Sequence, residues 1–350
     1  MKRTILLLVA LILAIPALQA QRPEWPPFDP AYPDVHDPVM AEENGTWHLF
    51  TTGFGIGHLT STDRIHWQFA PSPLNPVPQW AMEAVPGYRG HTWAPDVQHV
   101  RGQWYLYYSC STFGKNTSAI GVLTTPTLDP TSPQFGWRDL GMVVRSERDV
   151  TDYNAIDPNV ILDRRGRPWL TFGSFWDGIQ LVRLQKDMHT PVGSPVTIAR
   201  RRAPRGIAHN DTEPGVEAGN NAIEAPFIVR HGRWYYLFAS WDLCCRGLNS
   251  NYKTIVGRSR HIDGPYVDRD GRPLAEGGGT IVAQADDRYC GVGHCGVYQF
   301  ADGWYIVAHA YDRNLNGASK LFLRPLQWVD GWPEIAEDTN TFQAFFQKAE

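Results

Sequence analysis

The 350-residue chain has no excess of positive charge and few cysteines. Its 32 Lys and Arg residues are outnumbered by 36 Asp and Glu residues, which gives a formal net charge of −4. Without a basic excess, binding to nucleic acid or to an acidic membrane surface is not expected. The five cysteines also lack the close, repeated Cys and His spacing of a zinc site. The sequence therefore argues against a nucleic-acid-binding protein and against a zinc module.

Beyond its first 20 residues the sequence lacks an apolar run long enough to cross a bilayer. Residues 1–20 themselves have the pattern of a signal peptide, with a positively charged start, an apolar stretch over 5–15 and a small residue at Ala20. We therefore expect an exported protein, extracellular or periplasmic, with no membrane association. No Pro/Ser-rich linker interrupts the rest, so residues 21–350 are predicted to form a single domain and a monomer.

An odd number of cysteines in an exported chain leaves at least one thiol free unless chains are cross-linked. Cys290 and Cys295 close a short loop in the sequence and are one candidate pair. The adjacent Cys244 and Cys245 are open to a strained vicinal disulfide or to separate partners. The sequence alone leaves the pairing open.

Aromatic residues and turn formers are abundant. The chain has 14 Trp, 14 Tyr and 15 Phe together with 32 Gly and 27 Pro. Short β-type runs broken by turn residues dominate, which is typical of all-β proteins. Most of these rings are expected in the core, but aromatic rings also stack on the faces of sugars.

A strand of the form Gly-x-Trp-aromatic recurs five times. Its tryptophans are separated by 57, 65, 65 and 70 residues and are Trp47, Trp104, Trp169, Trp234 and Trp304. Each copy follows another short strand and a tight turn, and a third strand comes after it. This period is too long for most solenoids and suits a four-stranded propeller blade. We predict an all-β, five-bladed β-propeller, because a β-sandwich or a two-domain β protein would not explain the recurrence.

Three carboxylates and an imidazole recur near the start of the first strand of a repeat. Ten residues before the tryptophan stand Asp37, Ala94, Glu224 and His294, and after a longer turn the third repeat supplies Asp157. First strands line the central channel of a propeller, so these positions are predicted to face one another across the axis. Because buried carboxylates repel each other and resist ionisation, such a cluster indicates a functional site.

Cleavage of a glycosidic bond needs such a set of carboxyl groups. One must be protonated to donate to the leaving oxygen, and another must be ionised to activate water or to attack carbon. A third raises the pKa of the acid by like-charge repulsion. Two neighbouring aspartates also suit a metal ion that assists hydrolysis. The aromatic-rich surroundings favour a sugar substrate.

The motifs around the three carboxylates resemble those of glycoside hydrolase family 43. They read HDP at 36–38, NAIDPN at 154–159 and IEAP at 223–226. Further segments resemble the arabinan endo-1,5-α-L-arabinanase branch, and they are HTWAPDV at 91–97, STFGKNTSAIG at 111–121, GSFWDGIQL at 173–181 and CCRGLNSNYKTIVGRS at 244–259. The resemblance runs from about residue 30 to about residue 335.

The resemblance implies hydrolysis of internal α-1,5-L-arabinofuranosidic bonds in arabinan, the side chains of pectin, with inversion. Asp37 would be the general base and Glu224 the general acid, and Asp157 would tune the pKa of Glu224 and orient it. The implied substrate contacts are Trp93, Phe113, Gly114, Asn154, Ser174, Phe175 and Trp176. Trp93 and Phe113 would stack on arabinose rings, although a core position for Trp93 is the alternative.

His294 stands where the family carries a central histidine that helps to hold a metal, commonly calcium, through mostly water ligands. A hard cation with oxygen ligands and several waters suits such a channel. The motif here reads GVGHCGV, and Cys295 replaces the more usual Asn. A histidine that is only hydrogen-bonded is the alternative to a metal ligand.

Two other functions remain open. One is an exo-acting arabinanase, an arabinofuranosidase or a β-xylosidase of the same family. The chain leaves no room for an added β-sandwich domain, which favours the endo mode, although the insert at 199–221 is long enough to close one side of the groove. The other is a carbohydrate-binding propeller without catalysis, which has no reason to retain all three carboxylates.

Overall fold

The computed structural model describes residues 27–202 and 221–336. The predicted signal peptide at 1–20 lies outside the described residues, and so does most of the insert at 199–221. Within the described ranges, no helix has the length and apolar character needed to span a bilayer.

The described residues are almost entirely β-strand. In chain order the strands are β1 (Val39–Glu43), β2 (Thr46–Thr51), β3 (Gly53–Phe54), β4 (Gly57–Ser61), β5 (Gln68–Phe69), β6 (His91–Val100), β7 (Gln103–Cys110), β8 (Ser118–Thr125), β9 (Arg138–Ser146), β10 (Asn159–Leu162), β11 (Pro168–Phe172), β12 (Ile179–Leu184), β13 (Pro191–Ala199), β14 (Ile223–His231), β15 (Trp234–Trp241), β16 (Lys253–Ser259), β17 (Thr280–Ala283), β18 (Tyr289–Phe300), β19 (Gly303–Asp312), β20 (Ala318–Val329) and β21 (Trp332–Ile335). The helix α1 (Gln79–Ala84) precedes β6, and three short 3-10 helices span Gly247–Asn249, Leu274–Glu276 and Arg313–Leu315.

Five antiparallel sheets follow one another along the chain and form the blades of a β-propeller, which confirms the predicted fold. Strands β1, β2, β4 and β5 form blade one, and β3 joins β6–β9 in blade two. Blades three to five are β10–β13, β14–β17 and β18–β21. Asn44 and Gly45 turn the first hairpin with φ angles of 54° and 80°, as a two-residue hairpin turn requires.

Blade four departs from the predicted tryptophan register. Trp234 pairs with His231 beside the hairpin turn, whereas Trp47 pairs one position further from its turn. Trp234 therefore lies one residue early in its strand, and Tyr235 takes the position that tryptophan holds in blades one, two and five. The ten-residue spacing had suggested that Glu224 and Asp37 occupy the same position in the repeat. Because of the shifted register they do not.

Each blade contains one non-glycine residue with a left-handed backbone in or just before its innermost strand. With their φ angles these residues are Asp37 (52°), Ala94 (45°), Asp157 (58°), Ala225 (55°) and His294 (51°). A left-handed conformation is unfavourable for residues other than glycine and persists only where the surroundings hold it. Ala225 is therefore the true equivalent of Asp37 in blade four, and Glu224 lies one residue before it.

A ring of hydrogen bonds between blades holds these five residues. Each left-handed residue donates its backbone N–H to a side chain of the preceding blade, and blade five precedes blade one. The donor–acceptor pairs are Ala94 to Thr52 Oγ1 (2.9 Å), Asp157 to Ser109 Oγ (3.0 Å), Ala225 to Asp157 Oδ2 (3.0 Å), His294 to Ser240 Oγ (2.8 Å) and Asp37 to His309 Nδ1 (3.1 Å). In blade three the position that would supply the acceptor is Gly173, which has no side chain. The carboxyl group of Asp157 accepts the hydrogen bond instead.

The structure is at odds with the candidate disulfide between Cys290 and Cys295. Both cysteines are buried in the single strand β18 and are free. The apparent loop in the sequence is therefore part of one strand, and the two thiols are not joined.

Candidate active site

Asp37 lies on the propeller axis among three donors. Its Oδ1 atom is 2.8 Å from Nδ1 of His36 and 3.0 Å from Nδ1 of His294, and its Oδ2 atom accepts a 2.5 Å hydrogen bond from Thr52. Only 7% of the residue is exposed. Although burial raises it, the imidazoles of His294 and His36 hold the pKa of Asp37 well below its ordinary value. Asp37 is therefore a carboxylate at neutral pH.

The pKa of Asp157 is shifted in the opposite direction from that of Asp37. The residue is 5% exposed, and its Oδ2 atom accepts the backbone N–H of Ala225. Burial, together with the charges of Glu224 and Asp37 and against the opposing effect of His294, raises the pKa of Asp157 to about 8. Asp157 therefore retains a proton where Asp37 has lost one, so the axis carries carboxyl groups in two protonation states.

Glu224 lies on β14 and is 8% exposed. Its Oε2 atom accepts a 2.7 Å hydrogen bond from Ser174 Oγ, and its backbone pairs with Ser240. The charge of Glu224 contributes to the raised pKa values of both Asp157 and His294. Glu224 therefore belongs to the same electrostatic cluster even though it occupies a different position in the repeat.

His294 is the cation of the cluster. Burial lowers its pKa, but the Asp37 carboxylate, with contributions from Asp157 and Glu224, raises the pKa of His294 to about 9. The imidazolium is thus placed among all three acidic residues. The structure brings Asp37, Asp157, Glu224 and His294 together at the axis from blades one, three, four and five.

Several residues of this cluster went unnoticed in the sequence. His36 bonds Tyr311 through Nε2 at 2.9 Å, and its ring stacks on that of His309 with centroids 3.9 Å apart. Burial and the charge of His36 keep the pKa of His309 well below its ordinary value. The sequence did contain a signal for the side chains that accept the hydrogen bonds between blades. Three of them, Thr52, Ser109 and His309, each follow the repeat tryptophan by five residues.

The predicted substrate contacts occupy two environments. Phe113 is 81% exposed, and Trp93 is half-buried and donates a 2.9 Å hydrogen bond to His91. Trp93 is therefore not the fully buried core residue of the alternative reading. Gly114 has a left-handed φ of 74°. Asn154, in contrast, is buried and accepts a hydrogen bond from Ser118.

Ser174, Phe175 and Trp176 form a constrained segment beside Glu224. Phe175 and Trp176 have consecutive left-handed φ angles of 55° and 38°. Phe175 donates its N–H to the carbonyl of Ile223, and Asn221 donates to the carbonyl of Trp176. Two half-buried rings are thus held next to the residue that bonds Glu224, in a backbone conformation that is rare for aromatic residues.

Two groups within the described ranges bring three possible metal ligands close together. They are His36 with Cys244 and Cys245, and His36 with Asp37 and His309. His294 belongs to neither group. The predicted metal residue is therefore placed on the axis, but the closest sets of ligand atoms are centred on His36.

A five-bladed propeller with three buried carboxyl groups on its axis defines a propeller glycoside hydrolase. Residues 31–333 match the model of the glycosyl hydrolases family 43, and the chain belongs to this family. It is 44% identical over 307 residues to the extracellular exo-α-(1→5)-L-arabinofuranosidase of Cellvibrio japonicus, covering 87% of either chain. It is 40% identical over 303 residues to the extracellular endo-α-(1→5)-L-arabinanase 1 of Bacillus subtilis, covering 85% of this chain and 87% of the relative.

Solved structures show the same relationship. An exo-1,5-α-L-arabinanase from a bovine ruminal metagenomic library is 58% identical, with a TM-score of 0.83, over 89% of this chain and 99% of that one. An α-L-arabinanase of Cellvibrio cellulosa, complexed with arabinohexaose, is 42% identical with the same TM-score, over 89% of this chain and 98% of that one.

Proposed function

We propose that this enzyme hydrolyses α-1,5-L-arabinofuranosidic bonds of arabinan with inversion. The observation that carries the proposal is the split in protonation between the low-pKa carboxylate of Asp37 and the proton retained by Asp157 beside Glu224. Groups whose pKa values are pushed apart take the roles of base and acid. The relatives named above act on α-1,5-linked arabinose or carry an arabino-oligosaccharide, which supports the substrate.

In this mechanism Asp37 takes a proton from the attacking water while Glu224 gives one to the leaving oxygen. His36, His294 and Thr52 orient the Asp37 carboxylate. Asp157 and Glu224, whose charges repel each other, share one proton, and this is the proton that Glu224 donates. Ser174 fixes the carboxyl group of Glu224. Exchange with solvent then returns one proton to Glu224 and removes one from Asp37.

We propose the exo mode as the leading mode of attack. The relatives with exo in their names share 58% and 44% of their residues with this chain, and the endo-arabinanase shares 40%. The endo mode predicted from the sequence is the second candidate. The Cellvibrio japonicus and Bacillus subtilis relatives are both extracellular, which supports export of this chain. We further propose that the exported protein acts on the polymer as a monomer.

Incubation of the purified protein with debranched linear arabinan tests these proposals. An exo enzyme releases one short product from the start while viscosity falls slowly. An endo enzyme lowers viscosity early and releases a ladder of oligosaccharides. Binding without any released sugar would overturn the hydrolase proposal in favour of a carbohydrate-binding propeller, and NMR of the first product tests inversion through its anomeric configuration.

A calcium ion on the axis is also part of the proposal. Nδ1 of His294 is engaged by Asp37, so binding would displace the proton from Nε2. That nitrogen would then hold the ion, with water completing the oxygen shell that calcium prefers. The Asp37 carboxylate and the single negative charge shared by Asp157 and Glu224 supply the negative surroundings that suit such an ion. Metal analysis of the dialysed protein, together with its thermal unfolding with and without a chelator, tests for a bound ion independently of activity.

A further inference from the structure

Cys244 and Cys245 lie in the loop between β15 and β16, at the edge of the active site. Their Sγ atoms are 2.6 Å apart, shorter than an ordinary contact between sulfur atoms and longer than the bond of about 2.05 Å in a disulfide. Cys245 is exposed and has a left-handed φ of 60°. Cys110, Cys290 and Cys295 are buried. The vicinal pair is therefore the one pair of thiols in this chain that reagents in solution can reach.

Two routes join this pair to Asp37. The Sγ atom of Cys245 is 3.7 Å from Nε2 of His36. The backbone N–H of Cys245 donates to the hydroxyl of Tyr311 at 2.7 Å, and that hydroxyl bonds the same Nε2 atom at 2.9 Å. Nδ1 of His36 in turn holds Asp37 at 2.8 Å. The cysteine loop therefore supports one of the three contacts that hold the Asp37 carboxylate, the one through Tyr311 and His36.

Cys245 is equipped to react first. The hydrogen bond from Cys244 lowers the pKa of Cys245 to about 6, and His36 contributes in the same direction against the effect of burial. The thiolate is the nucleophilic form of cysteine. Cys244 is less exposed, and its pKa is raised well above the ordinary value, chiefly by the same hydrogen bond. The two sulfurs thus differ in role, with Cys245 attacking and Cys244 resolving.

We propose that Cys244 and Cys245 form a reversible vicinal disulfide that fixes the Tyr311–His36–Asp37 chain, a positioning role that rests on the proposed function of Asp37. A low-molecular-weight disulfide such as oxidised glutathione supplies the oxidant. Cys245 attacks one of its sulfurs and releases one thiol. Cys244 then attacks the sulfur of Cys245, releases the second thiol and closes the ring. Two electrons and two protons pass from the cysteine pair to the two released thiols.

The ring is labile because the two cysteines are adjacent. Consecutive Cα atoms are about 3.8 Å apart, whereas ordinary disulfides span about 4.4–6.8 Å. Strained and exposed disulfides are the ones that reduce readily. An oxidising medium therefore closes the ring and a reducing one opens it. Closure removes the rotational freedom of both side chains in the loop that anchors Tyr311, so the closed form holds Asp37 more firmly for reaction.

The test uses the full-length protein, oxidised with oxidised glutathione or reduced with a phosphine. Free thiols are blocked and the peptide carrying residues 244–245 is weighed. After oxidation we expect this peptide without blocking groups and lighter by two hydrogen atoms. Phenylarsine oxide, which bridges two neighbouring thiols, should bind only the reduced protein. The mass result does not depend on activity, so it stands even where the proposed arabinan hydrolysis fails.

The activity of the two forms tests the positioning role. We expect kcat on linear arabinan to be about fivefold higher in the oxidised form, with KM little changed, because a small displacement of a reacting group lowers the rate more than binding. Cys245→Ser should abolish the difference, and Cys290→Ser, a buried thiol outside the loop, should preserve it. Two blocked thiols at 244–245 after oxidation would overturn the disulfide. A closed disulfide with equal kcat in both forms would overturn its positioning role, a comparison that needs no variant to fold.

Discussion

Trp93 of blade two and Glu224 of blade four occupy the same place in the repeat. Each lies one residue before a left-handed alanine, and each pairs with a serine of the next strand, Ser109 or Ser240. The predicted stacking residue and the proposed acid therefore start from equivalent backbone positions on two different blades.

Replacing either proposed catalytic residue should abolish turnover. We expect Asp37→Ala and Glu224→Ala to lower kcat/KM by about 10²–10⁴-fold, the usual contribution of general acid–base groups. Binding of an arabino-oligosaccharide, measured by calorimetry, should persist because the aromatic contacts remain. Glu83→Gln, at an exposed acid on α1, is the matched control. Wild-type activity in either alanine variant would refute its assignment.

Ser174→Ala should lower kcat while changing stability little. The substitution removes the 2.7 Å hydrogen bond to Glu224, and a hydrogen bond of this kind contributes about 0.5–1.5 kcal/mol, equivalent to about 2–10-fold in rate. Steady-state kinetics on linear arabinan measures the loss. Ser174→Thr keeps the hydroxyl and should restore most of the rate. Equal losses in the two variants would point to packing rather than to the hydrogen bond.

Ser109→Ala should destabilise the fold. It leaves the buried N–H of the left-handed Asp157 without its acceptor, which costs about 1–3 kcal/mol. Urea unfolding followed by tryptophan fluorescence measures the change in free energy. Ser132→Ala, in an exposed turn outside the ring, is the control. A loss no larger than that of the control would mean that the ring does not hold the left-handed residues.

The free energy of unfolding should fall as pH rises, in part because of Asp157. The folded-state pKa of Asp157 is about 8, above its value of about 3.9 in an unfolded chain. The folded state therefore binds more protons than the unfolded state between these values, and the contribution of Asp157 falls as pH rises from about 4 to about 8. Asp157→Asn stays neutral and keeps an oxygen acceptor for Ala225. Urea unfolding at about pH 5 and about pH 8 should show a steeper fall for wild type than for this variant, and parallel falls would refute the raised pKa.

Phe113→Ala should weaken substrate binding without loss of stability. The side chain is 81% exposed, so it contributes little to the core, whereas stacking of an aromatic ring contributes about 0.5–1.5 kcal/mol. We expect KM to rise about two- to tenfold at a similar kcat. Phe69→Ala, at an exposed ring on the outer strand β5 (71%), is the control and should leave KM unchanged.

The five-fold repeat was sufficient to predict the propeller, since strand order and blade number follow from the spacing of the tryptophans. The positions of Asp37 and His294 followed from the same register, and that of Asp157 from allowing for the longer turn of the third repeat. Glu224 did not, because Trp234 lies one residue early in β15 and a shift of one residue along a strand looks small in a sequence. Its motif still identified the residue, although its position relative to the other blades was wrong.

The contacts that set the protonation of the site could not be predicted from spacing alone. His36 and His294 lie 258 residues apart, yet both bond one oxygen of Asp37. Which of two histidines beside a carboxylate becomes charged depends on burial and on the sum of neighbouring charges, and His309 stays neutral where His294 does not. The combined effect of burial and neighbouring charges on a pKa can be evaluated only when the positions of the groups in space are known.

Because residue 173 is a glycine, Asp157 supports the scaffold in addition to its proposed role in the reaction. In blades one, two, four and five, a side chain outside the proposed proton transfer accepts the hydrogen bond from the next blade. Blade three has a glycine, and so only a hydrogen atom, at the equivalent position. The gap is closed by the oxygen of an acidic residue from the reacting cluster. Loss of that oxygen would loosen the junction between blades three and four at the same moment as it disturbs the chemistry. Activity and architecture are therefore separable at this residue only by a replacement that still accepts a hydrogen bond.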